Sequence, residues 1–253
     1  VRTGFLDAVA LLTRLPVRQA GGDGADLARA AVWFPVVGAL LGGALVGTGL
    51  LLVAWAGLPV PVAVLLVVSL EQLATGALHL DGLADLADAS GGTDRQARLR
   101  IMKDHATGVY GTAAVVLALL LEGALLVELV PTADPGAAGM TSAVLLGAAA
   151  WSLSRAAMLP VALALPYARE DGTGRAVVDG LARRHTLLAW VAPVVLCALL
   201  GWTGAAMLGG ALAAALLVGS HAGQTLGGAT GDVLGATAQA ALLAALLVAV
   251  AAL

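Results

Sequence analysis

Three aspartates, Asp81, Asp85 and Asp88, follow His79 inside the stretch TGALHLDGLADLADASGG, Thr75 to Gly92. On a helix of 3.6 residues per turn their carboxylates lie at 0°, about +40° and about −20°, which makes one stripe. Carboxylates so arranged repel one another and are costly beside apolar surroundings. Mg²⁺ relieves both penalties, because this hard cation takes oxygen ligands and is commonly held by a few carboxylates plus substrate phosphates. Asp81, Asp85 and Asp88 are therefore the expected metal ligands, and Gly82 lets a phosphate or metal come close to the backbone. The plainer reading is a solvated helix start, with Asp81 as N-cap and the acids complementing the helix dipole. Asp81, Asp85 and His79 are catalytic candidates. His79 is a base by type, although two positions before Asp81 it points off the stripe.

The next stretch, TDRQARLRIMKDHATGVYG at 93–111, carries Arg95, Arg98, Arg100, Lys103 and His105. Cations beside bound Mg²⁺ can hold phosphate oxygens and stabilise the charge of a phosphoryl-transfer transition state. Lys103 joins the catalytic candidates; Arg98, Arg100 and Asp104 are candidate substrate-binding residues. Arg95 and Arg98 suit an interfacial helix on anionic lipid headgroups equally well. Arg155, in WSLSRAAMLP, falls inside an apolar run, where an arginine is a functional candidate by default. It can meet a substrate phosphate or pair with an acid such as Glu71, and the sequence leaves both open. Pro160 can kink that helix toward the site. SHAGQTLGGATGDVLGA, at 220–236, reads as a Gly-rich turn carrying His221, Gln224, Thr230 and Asp232. Such backbone with Thr230 and Asp232 can cradle phosphate or complete a metal shell; its plain alternative is a flexible loop. Glu122 and Glu128 receive no role.

These residues need elements to hold them. The 253-residue chain is 60% apolar and only 11% charged, with a mean hydropathy of +0.97. A water-facing shell cannot be covered with so few polar side chains. The apolar runs are continuous, so helices and not an alternating barrel are expected. The fold class is all-α: one polytopic membrane helix bundle over 1–253. At roughly 20 residues per crossing, seven spans fit, near 35–56, 60–79, 108–130, 141–166, 186–203, 204–221 and 236–253. Thirty-three glycines permit close helix approach. Cys197 is the one cysteine, so no intrachain disulfide forms. Twelve of the thirteen basic residues fall on one side of this map, all but Arg155. By the positive-inside rule that side is the cytoplasm, with the N-terminus inside and the C-terminus outside. Segments 1–34 and 79–107 are then cytoplasmic, the second catalytic, and no cleavable secretion signal precedes the first span. Polar segments on one face only suit a cytoplasm-facing enzyme better than a cation-coupled transporter or a purely structural subunit.

Taken together, RLPV at 14–17, FPVVGALLG at 34–42, TGALHLDGLADLADA at 75–89, RLRIMKDHATGVYG at 98–111, SR at 154–155 and GGATGDVLGA at 227–236 resemble the cobalamin synthase family. These enzymes are also called adenosylcobinamide-GDP ribazoletransferases. The resemblance covers nearly the whole chain, with Leu80 standing where members commonly carry Glu. It implies a multi-pass enzyme of the bacterial cytoplasmic membrane that needs Mg²⁺ and joins adenosylcobinamide-GDP to α-ribazole or its 5′-phosphate. The products are adenosylcobalamin, or its 5′-phosphate, and GMP. Mg²⁺ on the aspartates is then expected to bridge the pyrophosphate, with Lys103 and Arg155 on phosphate oxygens and Asp232 completing the metal shell or orienting ribazole. The stripe also partly matches the CDP-alcohol phosphotransferases, so a phospholipid-making enzyme is the alternative. The bilayer is an expected partner and nucleic acid is not; small-residue helix faces permit a homodimer.

Overall fold

The computed structural model describes residues 2–17, 28–104, 106–130, 136–172 and 174–253. His105 and Arg18 lie outside the described residues. Twelve α-helices follow in chain order: α1 Arg2–Leu12, α2 Phe34–Ala54, α3 Val60–Thr75, α4 Leu78–Asp88, α5 Arg95–Ile101 and α6 Val109–Leu129. The second half comprises α7 Gly136–Ala164, α8 Arg175–Gly180, α9 Arg183–Ala189, α10 Val191–Leu199, α11 Gly201–Thr225 and α12 Gly231–Ala251. Among the described residues the only β-type pairing is an isolated bridge between Tyr167 and Ala229. The expected helical bundle is what forms.

Among the described residues, five helices are long and apolar enough to cross a membrane: Ala28–Ala54, Val109–Leu129, Gly139–Ala164, Gly201–Thr225 and Gly231–Ala251. A sixth is reached by counting α3 with α4, which bend 86° from one another. The fifth expected span, 186–203, is instead the short pair α9 and α10, interrupted at Trp190 and again at Leu200. An apolar run of that length reads alike whether it is one helix or two short ones.

Small residues set the interior. A Cβ on Gly42 would lie 2.6 Å from the Gly147 carbonyl oxygen, so α2 and α7 pack nearly backbone to backbone. Close approach of this kind gives helices dense contact without a driving force from water. α7 and α12 are mostly buried at the centre, while Leu65 and Leu73 of α3, Leu117 and Leu120 of α6 and Leu216 and Leu217 of α11 form an exposed apolar belt.

A polar cluster is sealed in this core. The Trp151 indole N–H donates to Glu71 Oε1 at 2.6 Å, and Arg155 Nη2 lies 3.8 Å from the same oxygen. Arg155 Nη1 donates to Ser154 Oγ, and that hydroxyl donates to the Ala238 carbonyl. Gln239 Nε2 donates to Glu122 Oε2 at 2.9 Å. Of the two roles left open for Arg155, the structure shows the ion pair with Glu71. Glu122 is wholly buried with a partner of its own. The cluster joins α3, α6, α7 and α12 where unpaired polar groups would be most costly.

Candidate active site

The site begins at the turn from α3 to α4. Gly76 caps α3 at φ 64°, its N–H donating to the Gln72 carbonyl, and Ala77 follows at φ 55°. Two consecutive left-handed residues swing the chain out of the line of α3, so α4 runs across the end of the bundle. Ala77, not Asp81, is the N-cap of α4, and Asp81 sits in its first turn. A Cβ on Gly82 would lie 2.6 Å from the Asp232 carbonyl oxygen and 3.0 Å from its Cα. Glycine at 82 thus lets α4 press directly on the first turn of α12. Gly235, where a Cβ would come within 3.3 Å of the Leu78 carbonyl, completes the crossing.

That crossing brings Asp232 to the aspartate stripe. The Asp85 carboxyl is pushed up to about 7, first by burial, then by the charges of Asp232 and Asp81, with Arg169 opposing and Asp88 adding a little. Asp232 Oδ2 accepts from Arg169 Nη2 at 2.7 Å, and the same guanidinium nitrogen donates to the Met102 carbonyl. Arg169 Nε is buried without a partner. Thr230 caps α12, its hydroxyl oxygen accepting from the Val233 N–H.

Asp88 is committed differently. Its two oxygens accept the backbone N–H groups of Gly108 and Gly111, each at 2.7 Å. It therefore anchors the start of α6, where free N–H groups and the helix dipole favour a carboxylate.

Asp81 and Asp232, but not Asp85 or Asp88, border a cleft of about 740 Å³, counting its open mouth. His79, Asp81 and Asp232 line it with Leu78 and Leu234 of the same two helices, and Leu11, Leu12, Phe34, Met158, Leu159 and Val177 line it from four others. His79 is 5% exposed, and its Nε2 has no hydrogen-bond partner.

The other candidates spread out. Arg98 donates from Nε to the Gly92 carbonyl, and Arg95 reaches across to the Leu226 and Ala168 carbonyls. Both arginines thus fasten backbone. Arg100, Lys103 and Asp104 are exposed, with Asp104 accepting from the Ala106 N–H. None of these, nor Arg155 or Thr230, lines the cleft. The stretch around 220–236 is helix, short turn and helix, with His221 and Gln224 exposed on α11. Arg169 was not singled out from sequence, because it is one of several loop cations and only the fold shows it reaching Asp232.

Among the described residues, no three acidic, histidine or cysteine side chains converge to enclose a metal by themselves. The donor set still fits Mg²⁺, which keeps waters and uses one or two carboxylates plus substrate phosphates. The mutual repulsion of Asp85, Asp81 and Asp232 is what a cation there removes.

Fold and site together define a polytopic helical membrane protein with a carboxylate-bordered cleft at one end of its bundle. The chain belongs to the cobalamin-5-phosphate synthase family, whose model matches residues 4–250. Among its relatives, the adenosylcobinamide-GDP ribazoletransferase of Chlorobaculum parvum is 40% identical over 248 residues, covering 94% of this chain and 91% of its own. The Pseudomonas syringae pv. syringae protein of that name is 37% identical, covering 96% and 97%. The Escherichia coli one is 33% identical, covering 92% and 93%. No solved structure matches the chain significantly.

Proposed function

We propose that this protein joins adenosylcobinamide-GDP to α-ribazole, or its 5′-phosphate, releasing GMP. The carrying observation is the meeting of His79, Asp81 and Asp232 in one cleft, in a chain whose relatives from Chlorobaculum parvum, Pseudomonas syringae and Escherichia coli bear the ribazoletransferase name. Those names also favour this reading over a CDP-alcohol phosphotransferase.

A ribazole hydroxyl attacks the phosphorus that carries cobinamide. One P–O bond forms, the pyrophosphate P–O bond breaks, and the hydroxyl proton must leave. His79 Nε2, buried and unpartnered beside Asp81, accepts that proton. Asp81, Asp85 and Asp232 would hold Mg²⁺. When bound, the ion draws charge from the phosphate oxygens and eases departure of GMP. Arg169, fixed by Asp232 and the Met102 carbonyl, holds the Asp232 carboxylate in place. Asp88 keeps α4 and the start of α6 in register, so the stripe faces α12. We place the protein in the bacterial cytoplasmic membrane, with the cleft and the basic segments on the cytoplasmic side.

The test is product analysis with purified protein in detergent. GMP and cobalamin are expected from adenosylcobinamide-GDP and α-ribazole when Mg²⁺ is supplied, and a chelator stops the reaction. CMP release from a CDP-alcohol, with no GMP release from the corrinoid, would overturn the reading.

A further inference from the structure

His79, Asp81 and Asp232 account for only part of the lining of the cleft, and most of the rest is apolar. We propose that its apolar side, formed by Leu11, Leu12, Phe34, Met158, Leu159 and Val177, seats the aromatic base of the incoming nucleoside, with the ribose turned toward His79. This rests on the ribazoletransferase reading and adds which substrate occupies the cleft and which residues select its base.

Three substrate parts compete for the place. Guanine carries donors and acceptors around its edge, and this wall has no side chain to meet them. Buried there, that edge would lose its hydrogen bonds to water without replacement. The corrin ring is broad and rimmed with amides, which leaves it outside a cleft closed by Leu12, Phe34, Met158 and Leu159, each 5% exposed or less. Dimethylbenzimidazole is flat and apolar, with two methyl groups and no N–H donor once joined to ribose. Small-molecule sites are typically such apolar hollows with a few oriented polar groups. His79 supplies the polar group: it is nine-tenths buried, its Nε2 is unpartnered, and it lines the same hollow. The sugar joined to a base in this wall lies beside Nε2, with Asp81 and Asp232 beyond it toward the phosphates. The base wall comes from α1, α2, α7 and α8, whereas the acids come from α4 and α12. Base selection and phosphate chemistry are therefore separable by substitution.

The experiment compares steady-state constants of purified wild type and Leu11→Trp. Leu11 is half-buried and lines the cleft, so the larger ring fills part of the cleft. KM for α-ribazole is expected to rise about tenfold or more, while KM for adenosylcobinamide-GDP stays within about twofold. A second measurement needs no variant: wild type is given the riboside of unmethylated benzimidazole. Losing two buried methyl groups is expected to raise KM about tenfold. A rise confined to KM for adenosylcobinamide-GDP in Leu11→Trp, or equal KM for the two ribosides, overturns the assignment of the cleft and leaves the activity standing. A wild-type protein that forms no GMP from the two substrates removes the activity and this assignment together.

Discussion

At the scale of single residues the sharpest expectations fall on Asp81 and Asp85. Asp81→Asn or Asp85→Asn is expected to lower kcat about 10³-fold, the several kcal/mol that a Lewis-acid cation contributes to charge stabilisation. The amount of folded protein recovered from membranes should not change, as size-exclusion profiles would show. Asp85 also gives a pH dependence. Its carboxyl titrates near 7 in the fold and at about 3.9 in the unfolded chain. Between those values the unfolded chain has shed a proton that the folded one keeps, so this group's contribution makes stability fall as pH rises. A cation at the cluster cancels that loss. The rise in Tm produced by Mg²⁺ should accordingly be larger at about pH 8 than at about pH 5.5; an equal or reversed effect places the ion elsewhere. Spacing alone singled out Asp81, Asp85 and Asp88, since i, i+4 and i, i+7 neighbours follow from helix geometry, and His79 was a candidate by type. It could not tell that Asp88, on the same stripe, would turn its oxygens to Gly108 and Gly111.

At the scale of elements, two contacts hold α4 in place. Gly82→Ala puts a methyl group into the Asp232 backbone, so α4 and α12 must separate. A loss of about 1–3 kcal/mol is expected, as for overpacking generally, with activity falling further because Asp81 and Asp232 move apart. Thermal unfolding and kcat on one preparation check both. Asp88→Ala leaves two N–H groups at the start of α6 unanswered and should cost about 2 kcal/mol. If Asp88 instead served only a metal, Tm without Mg²⁺ would be unchanged by the substitution. The elements themselves were largely legible. Runs of apolar residues marked α2, α6, α7 and α12, and the stripe marked α4. The turn at Gly76 and Ala77 was not, because the apolar run passes straight through it. Nor was the break at Trp190 between α9 and α10, inside a run that hydropathy reads as continuous, whereas the break at Leu200 falls close to the expected boundary at 203–204.

At the scale of the whole molecule, the buried cluster tests how the bundle is held. Glu71→Gln removes the counter-charge of Arg155 where water cannot replace it, and a loss of about 3–5 kcal/mol is expected. The double variant Glu71→Gln, Arg155→Met should recover part of that loss, because no charge is then left alone. A double variant as unstable as the sum of both singles would contradict the pairing. Orientation is tested separately. With Cys197 replaced, a cysteine at Thr93, an exposed position ahead of α5, should react with an impermeant thiol reagent only from the cytoplasmic side. Labelling from the opposite face would reverse the proposed topology.

Hydropathy and helical period are properties of short stretches, and on them the sequence determined the membrane-type helical bundle, the carboxylate stripe and Asp232 as a candidate in a separate segment. The family motifs were legible for the same reason, since each is a few residues read in order. Which of those residues meet was decided only by the tertiary structure. Asp232 reaches the stripe because Gly82 and Gly235 let two helices distant in the chain touch, and Arg169 joins it because its loop closes over that crossing. The apolar half of the cleft belongs to no single motif, Phe34 alone of its residues falling in one. Its side chains come from four helices, and no local pattern distinguishes a leucine that lines a hollow from one that fills a core.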